Sequence, residues 1–370
     1  MDSSAGAGSA MSAGRVFYAT LNMGLGHATR SLPLMREFRD QGWEVLLGSS
    51  GRSLAFLRRE LPECPYVQTP DYAIEYSRGE GLLLKLALQA PRLARMIRAE
   101  NRCCRRVVAE FKPDLIVSDH CYGMYHPQVP SYFISHQIYF ALPPALERLE
   151  GLPAQLNFHY HRQYRRVIIP DLPGPRGGLL SGKLSRLPHD RNRYVYGGLL
   201  SSVCKYSGDE SLDLLVTISG PEPQRTLLEE KILAGIDRVP GRKVVVLGKS
   251  ESADLLLDRP DLKIYAHLPR ETMSRLFNQA RMVVSRPGYS TLMELAELGK
   301  PALLIPTPGQ TEQTYLAEYM LENRWFYSVS QAQLELPRDL ETARQYPGLF
   351  YPEITRHSVR TIFENVLNIT

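Results

Sequence analysis

The chain has 370 residues, of which 44% are hydrophobic and 22% are charged, and its formal net charge is +5. This length suits two ordinary domains, and the composition excludes collagen-like and largely disordered chains. The longest apolar runs fall well short of the roughly 18 to 20 residues that cross a bilayer, which excludes a transmembrane helix.

The chain carries no pattern of a secreted or zinc-binding protein. Its first 14 residues are small and polar, without the basic start and apolar centre of a secretory signal, so we predict a disordered leader. The cysteines are odd in number and lack zinc-type pairing, which predicts reduced thiols in the cytoplasm. They are Cys64, Cys103, Cys104, Cys121 and Cys204.

Positive charge is concentrated in the first half of the chain, where residues 1–195 carry a net +8 and the remainder −3. Much of the excess lies in residues 85–112, in which eight basic side chains face Glu100 and Glu110. This segment predicts peripheral contact with an anionic membrane or an acidic acceptor. A solvated helix face, with arginine stems covering apolar surface, is the alternative. The basic residues are Lys85, Arg92, Arg95, Arg98, Arg102, Arg105, Arg106 and Lys112.

The first half alternates short apolar runs with helical patterns. A strand is predicted from Arg15 to Asn22, followed by a glycine-containing loop and a helix from about Thr29 to Gln41. A second strand, a basic helix and two further strands follow, and this alternation favours a parallel sheet covered by helices. These are Trp43 to Ser50, Pro91 to Phe111, Asp114 to His120 and Ser131 to Gln137.

The alternation restarts after a Pro/Gly-rich stretch and predicts a second doubly wound domain. Five short apolar strands end in Gly, Pro, Ser or His, so their loops gather at the carboxyl ends of the strands, where open α/β sheets bind ligands. The runs are Leu212 to Gly220, Arg242 to Lys249, Leu262 to Leu268, Arg281 to Gly288 and Pro301 to Gly309.

The segment from Ser285 to Gln313 indicates an anion site. Pro287 and Gly288 turn a strand into a helix opened by Ser290 and Thr291, and the first N–H groups of a helix attract an anion such as a diphosphate. Glu294, one turn into the helix, has the reach to accept from two ribose hydroxyls. It could equally be an ordinary first-turn glutamate favoured by the helix dipole. Glu312 and Gln313 form a polar pair suited to sugar hydroxyls.

This segment resembles the donor-binding signature of the MurG and UDP-glycosyltransferase superfamily, whose C-terminal domain is of the family 28 type. The resemblance implies a GT-B fold: two doubly wound, Rossmann-like α/β domains facing each other across a cleft. It also implies that the Gly-containing loop and hydroxyls hold the diphosphate, the helix glutamate the ribose, and the acidic-Gln pair the sugar. The matching residues are Pro287, Gly288, Ser290, Thr291, Glu294, Gly299, Pro301, Pro306, Glu312 and Gln313. Arg286-Pro287 departs from relatives that often have Gly or Cys-Gly there.

Two further segments resemble the same signature. Ser219 and Gly220 match a loop that approaches the phosphates. His267 and Leu268 match a segment whose backbone reads the edge of uracil, and Met273 would pack nearby. His267 could instead be a simple strand-end residue.

In the N-terminal half, the sequence GLGHATR places His27 in the loop after the first strand. Gly24 and Gly26 would let the backbone approach an acceptor, although a loop histidine can also be plain polar surface. The resemblance implies that His27 is the general base and that Asp119, at a later strand end, orients it. His136 and Gln137 resemble a strand end of the MurG branch and are candidate acceptor contacts.

The resemblance predicts an inverting, metal-independent transfer of a hexose or N-acetylhexosamine from a UDP-sugar co-substrate to a hydroxyl acceptor, with no cofactor and no nucleic-acid partner. The protein would be cytoplasmic or peripheral on the inner face of the membrane. Alternatives are a nucleotide-sugar 2-epimerase and a non-catalytic nucleotide-sugar-binding subunit. The acceptor is a glycan, a lipid-linked compound or a small molecule.

Five regions are predicted along the chain, with the linker marking the change from one domain to the other. The final helix is expected to return toward the N-terminal domain. The regions are a leader at 1–14, an acceptor-binding domain at 15–195, a linker at 196–210, a donor-binding domain at 211–352 and a helix at 353–370.

Overall fold

The computed structural model describes most of the chain. The described residues are 13–71, 82–142, 144–188, 191–203, 205–206, 208, 210–249 and 254–369, with the side chains of 82–90, 144–145, 147 and 191 left out. Nearly all of the predicted leader, parts of the predicted linker and Cys204 therefore lie outside the described residues.

In these residues the chain forms sixteen strands, most of them three to six residues long. They are β1 Arg15–Thr20, β2 Glu44–Ser49, β3 Tyr66–Gln68, β4 Leu115–Asp119, β5 Ser131–Ile134, β6 Arg166–Ile169, β7 Pro173–Gly174, β8 Gly177–Gly178, β9 Tyr194–Tyr196, β10 Leu214–Thr217, β11 Lys243–Val246, β12 Leu255–Asp258, β13 Leu262–Tyr265, β14 Val283–Ser285, β15 Ala302–Leu304 and β16 Tyr327–Ser328.

Ten α-helices alternate with these strands over the same described ranges. They are α1 Gly26–Asp40, α2 Gly51–Glu60, α3 Leu82–Phe111, α4 Gly151–His161, α5 Gln224–Ile236, α6 Arg270–Gln279, α7 Tyr289–Leu298, α8 Thr311–Glu322, α9 Leu336–Ala343 and α10 Ile354–Thr361. Helix α10 continues as a π-helical segment, Ile362–Leu367.

The first large sheet has the strand order β3-β2-β1-β4-β5-β6-β9. Strands β1, β2, β3, β4 and β5 pair in parallel. Strand β4 is buried along its whole length, as expected for a parallel sheet covered on both faces. The order 3-2-1-4-5-6 is that of a Rossmann sheet, which reverses its winding between β1 and β4.

The second large sheet has the order β12-β13-β11-β10-β14-β15-β16. Every pair in it is parallel except the edge pair of β12 with β13. Without β12, the order again follows the Rossmann pattern, and winding reverses between β10 and β14. The two doubly wound sheets confirm the fold class predicted from the alternation of apolar runs.

Packing divides the described residues into two compact units. One contains residues 13–71, 82–134 and 159–167, and the other contains 135–158 and 168–369. The second unit therefore includes residues that precede the predicted linker. The assignment of acceptor binding to residues 15–195 and of donor binding to residues 211–352 rests on the resemblance and stays a prediction.

The first helix begins earlier than its sequence suggests. Helix α1 starts at Gly26, and the Thr29 amide already donates to the carbonyl of Leu25. The expectation that His27 lies in a loop was therefore wrong, because the first turn needs no hydroxyl side-chain cap to form. Helix α3 likewise extends before Pro91, which lies inside it.

The longest helix in the described residues, α3, is basic and amphipathic. No helix in the described part of the chain is both long enough and apolar enough to span a bilayer.

Candidate active site and donor site

The first candidate site lies at the carboxyl edge of the first sheet, where the winding reverses. His27 is the second residue of α1, which follows β1. Asp119 ends β4 and pairs in register with Thr20, the last residue of β1. Open α/β sheets bind ligands at such a reversal point. The structure thus brings together two residues that are 92 positions apart in the chain.

His27 and Asp119 are in direct contact. The Nδ1 atom of His27 lies 2.7 Å from Oδ1 of Asp119. Two lone pairs at this distance would repel each other, so Nδ1 carries the proton and donates a hydrogen bond to the carboxylate. The Nε2 atom then bears the lone pair. This tautomer can accept a proton from a hydroxyl group.

Asp119 also receives hydrogen bonds from Arg30 and Ser31 on the same helix. Arg30 Nε donates to Oδ2 at 2.7 Å, its terminal nitrogen donates to Oδ1, and Ser31 Oγ donates to Oδ2 at 2.9 Å. Sequence reasoning missed both residues. The signal was their spacing, since positions three and four after His27 lie on one face of a helix.

Asp119 is fully buried. Burial by itself would raise its pKa, but the positive charge of Arg30, the electrostatic interaction with His27 and the hydrogen bonds from both side chains outweigh burial and hold the pKa far below the ordinary aspartate value. The carboxylate is therefore ionised throughout the neutral range.

The glycines predicted as acceptor contacts lie beside this pair. Gly24 is exposed and has a φ of +70°, a conformation that a side chain would strain. Its carbonyl accepts from Ser53 Oγ at 3.0 Å, which fixes the loop. Gly26 begins α1 directly before His27.

The second candidate site lies at the equivalent reversal point of the second sheet. Strand β14 ends at Ser285, Pro287 is buried, and Gly288 occupies the N-cap of α7 without a side-chain hydrogen bond to the helix. Ser290 and Thr291 are partly exposed in the first turn. The helix start is thus formed as the sequence predicted, with its first N–H groups suited to an anion.

Glu294 is partly buried on the same helix, where its Oε1 accepts from Ser202 Oγ at 2.9 Å. Burial raises the pKa of Glu294 above the ordinary glutamate value, although the Ser202 hydrogen bond and the charge of Arg270 partly offset this. Sequence reasoning placed Ser202 in a linker and missed this contact.

The other predicted donor contacts lie in the loops that follow β10 and β13 and at the start of α6. Ser219 and Gly220 follow β10 and are exposed, with a φ of +114° at Gly220. His267 and Leu268 follow β13, and Met273 lies in the first turn of α6. Strand β11 lies between β13 and β10 in the sheet, and β14 lies on the other side of β10.

Glu312 and Gln313 open α8, and both side chains already have protein partners. Gln313 Oε1 accepts from the amide of Thr307 at 2.9 Å. Glu312 Oε1 lies 2.7 Å from Nε2 of His136. The structure thus joins a residue predicted to bind the donor to one predicted to bind the acceptor.

His136 is held on its ring face as well. Its ring stacks on that of Tyr289, with centroids 4.0 Å apart and planes at 11°. Tyr289 OH in turn donates to the carbonyl of Pro170 at 2.7 Å. Gln137 follows in a turn in which its amide donates to Ser135 Oγ. Sequence reasoning missed Tyr289, which reads as a simple helix-start residue.

Within the part of the chain that the structure describes, no three His, Cys, Asp or Glu side chains group as metal ligands.

Comparison with known proteins connects this geometry to an enzyme class. The model of the glycosyltransferase family 28 C-terminal domain matches residues 229–345. An uncharacterized glycosyltransferase of Methanosarcina acetivorans is 26% identical over 312 residues, which cover 78% of this chain and 79% of the relative.

Two further similarities agree. The UDP-N-acetylglucosamine–N-acetylmuramyl-(pentapeptide) pyrophosphoryl-undecaprenol N-acetylglucosamine transferase of a Methylobacterium species is 26% identical over 309 residues, or 79% of this chain and 77% of the relative. The crystal structure of the kitacinnamycin glycotransferase superposes with a TM-score of 0.61 over 94% of each chain, at 16% identity. The chain is therefore a glycosyltransferase of the GT-B fold that is similar to MurG and the UDP-glycosyltransferases, and its residues 229–345 match the family 28 C-terminal domain.

Proposed function

We propose that the enzyme transfers a hexose or N-acetylhexosamine from a UDP-sugar to a hydroxyl acceptor, with inversion at the anomeric carbon and without a metal ion. The contact between His27 Nδ1 and Asp119 Oδ1 carries this proposal. It supplies a base of the right tautomer at the reversal point of an open sheet.

The chemistry is a single displacement. The acceptor oxygen attacks the anomeric carbon while His27 Nε2 takes the hydroxyl proton. The bond from the anomeric carbon to the phosphate oxygen breaks, and that oxygen keeps the electron pair and leaves with the nucleoside diphosphate. Asp119 stays ionised and stabilises the imidazolium that forms. One displacement on one face of the sugar inverts its configuration.

The donor half of the proposal rests on the second sheet. The start of α7 offers N–H groups and the hydroxyls of Ser290 and Thr291 to a diphosphate, so negative charge on the leaving group meets a helix N-terminus. Glu294 lies one turn further along, within the reach of a ribose. Uridine is proposed from the resemblance of the His267 and Leu268 loop, and an N-acetylhexosamine from the UDP-N-acetylglucosamine named for the Methylobacterium relative. No cofactor is needed for this displacement.

The proposed acceptor is lipid-linked, and the enzyme would work from the cytoplasm at an anionic membrane. The relative's name includes a pyrophosphoryl-undecaprenol acceptor. Helix α3 presents six exposed arginines spaced by one, three or four residues along a single broad stripe. They are Arg92, Arg95, Arg98, Arg102, Arg105 and Arg106. The free, buried thiols of Cys103, Cys104 and Cys121 suit a reducing compartment.

A panel of nucleotide sugars tests the proposal in two stages. Calorimetry with UDP, other nucleoside diphosphates and their sugars should give the tightest binding for a UDP-sugar. Turnover with that donor and a polyprenyl-linked acceptor, followed by NMR of the product linkage, should show an inverted anomeric centre, unchanged by EDTA. Retention of configuration or a metal requirement would contradict the proposed mechanism. An epimerase would instead convert the donor with no acceptor present, and a binding subunit would show no turnover.

A further inference from the structure

A buried arginine lies between the loops of the proposed donor site. Arg286 directly follows β14 and is 1% exposed. Strand β14 lies between β10 and β15 in the sheet, so a long side chain after β14 can reach the loops that follow both neighbours.

The guanidinium of Arg286 donates to uncharged oxygens. Nε contacts the carbonyl of Ser219 at 3.3 Å, and one terminal nitrogen contacts the carbonyls of Ile305 and Pro306 at 3.0 and 3.1 Å. The other terminal nitrogen contacts the Gln224 carbonyl at 3.1 Å and Gln331 Oε1 at 2.7 Å.

No carboxylate forms an ion pair with Arg286 in the described residues, although the other buried Lys and Arg side chains there, Arg30, Lys243 and Lys300, each have one. Burial lowers the pKa of Arg286 to about 10, so the side chain stays positive near neutral pH. Carbonyl dipoles stabilise this charge but do not neutralise it. The charge therefore acts on whatever lies next to the loop.

A second buried group points to the same place. Thr307 is 1% exposed, and its Oγ1 has no hydrogen-bond partner in the described structure. A Cβ built on Gly220 would lie 3.4 Å from Thr307 Oγ1 and 4.0 Å from Arg286 Nε. Gly220 has no side chain and is exposed, so a ligand that packs against its backbone lies beside both groups. A buried hydroxyl without a partner is costly unless a ligand supplies one.

We infer that Gly220, Thr307 and Arg286 form a phosphate cradle, in which Thr307 donates a hydrogen bond to a diphosphate oxygen and Arg286 is a positioning residue whose fixed charge favours the departing diphosphate. This inference rests on the proposed transfer from a nucleoside diphosphate sugar. When the anomeric bond breaks, the diphosphate gains one negative charge. Arg286 keeps its proton and needs no movement, as expected of preorganised electrostatic stabilisation.

The test measures the affinities of uridine, UMP and UDP by calorimetry in full-length variants. Arg286→Gln removes the charge and keeps amide donors, whereas Arg286→Lys keeps the charge with fewer donors. We expect Arg286→Gln to weaken UDP binding by at least about tenfold, UMP binding by less, and uridine binding hardly at all. Arg286→Lys should recover most of the UDP affinity. If Arg286→Gln weakened uridine and UDP binding equally, or if both variants weakened UDP binding equally, Arg286 would only hold the loops together. Either result would overturn the inference.

Thr307→Val provides an independent test in case the Arg286 variants do not fold. The hydroxyl has no partner to lose in the described structure, so the melting temperature should not fall, while UDP binding should weaken by about tenfold and uridine binding should not change. Unchanged UDP affinity would show that Thr307 does not contact the diphosphate and would overturn the cradle. If the wild-type enzyme binds no nucleoside diphosphate, the proposed function itself fails; if it binds UDP and no variant differs, only the cradle fails.

Discussion

Replacement of Glu294 by glutamine tests the ribose assignment with little change in shape. Its carboxylate accepts one hydrogen bond from Ser202 at 2.9 Å, and a glutamine oxygen can keep that bond. What the variant loses is the negative charge available to ribose hydroxyls. The expected effect is therefore on binding of the ligand and not on the fold.

The magnitude follows from the strength of a charged hydrogen bond. A hydrogen bond to an ionised group contributes about 1.5–3 kcal/mol, which corresponds to roughly 10- to 150-fold in affinity. Because glutamine can still accept one bond, we expect Glu294→Gln to weaken UDP binding within this range. Glu294→Ala should weaken it further, since both acceptor atoms are lost.

The pH dependence has a definite sign. Burial raises the pKa of Glu294 in the free enzyme, and the ribose hydroxyls require the ionised form. As the pH falls, the wild-type enzyme should lose UDP affinity at a higher pH than an ordinary glutamate would produce. The phosphates of UDP also titrate, so the diagnostic quantity is the ratio of wild-type to Glu294→Gln affinity. This ratio should shrink toward one at low pH.

The assay is calorimetry with UDP and 2′-deoxy-UDP, and the matched control is Glu297→Gln on the same helix. Glu297 Oε2 accepts from the amide and hydroxyl of Thr355 at 3.0 and 2.8 Å. A glutamine oxygen can keep both bonds, so this control removes a charge from the same helix and should not alter UDP affinity. The wild-type enzyme should discriminate against 2′-deoxy-UDP, and Glu294→Gln should discriminate less. Equal UDP affinity in wild type and Glu294→Gln would refute the assignment.

Three further changes separate chemistry, stability and membrane contact. His27→Gln should lower kcat by roughly two to four orders of magnitude while calorimetric UDP affinity stays constant, and wild-type turnover would remove it from the mechanism. Asp119→Asn leaves a buried guanidinium without its counter-ion, so urea unfolding should show a loss of about 3–5 kcal/mol, and a stable variant would contradict this. Because folding lowers the pKa of Asp119, its contribution is complete above the ordinary aspartate pKa and is lost as pH falls toward the folded-state value. Arg98→Glu with Arg102→Glu should reduce salt-sensitive flotation with anionic liposomes, whereas the exposed control Arg356→Glu should not; equal flotation would leave α3 a solvated face.

The sequence predicts the main strands of both sheets because buried parallel strands are continuous apolar runs. It does not predict the edge strand Leu255–Asp258, of which most side chains are exposed, or the two-residue strand Tyr327–Ser328. Edge strands bury little surface, and their pairing is decided by the neighbouring strand. The predicted start of α1 is three residues late, because Thr29 resembles an N-cap residue but lies inside the first turn.

Sequence reasoning finds individual site residues better than their partners. The contact of His27 with Asp119 follows from strand order, because loops after adjacent parallel strands share one edge. The contact of His136 with Glu312 joins residues 176 positions apart that the resemblance assigns to different substrates. Propensity and periodicity hold no information about such a pair. Only the packing of the chain brings it together.

Two buried arginines show why the partner of a charge matters more than its burial. Arg30 is 3% exposed and donates to Asp119, so the pair has no net charge. Arg30 therefore holds in place the carboxylate that bonds to His27. Arg286 is equally buried but bonds to carbonyl and amide oxygens, and it keeps a full positive charge. A buried cation without a counter-ion costs several kcal/mol, and a neutral side chain could tie the same loops at less cost. A ligand of opposite charge would balance a charge retained in this way, and that is the role we propose for a diphosphate at this edge of the second sheet.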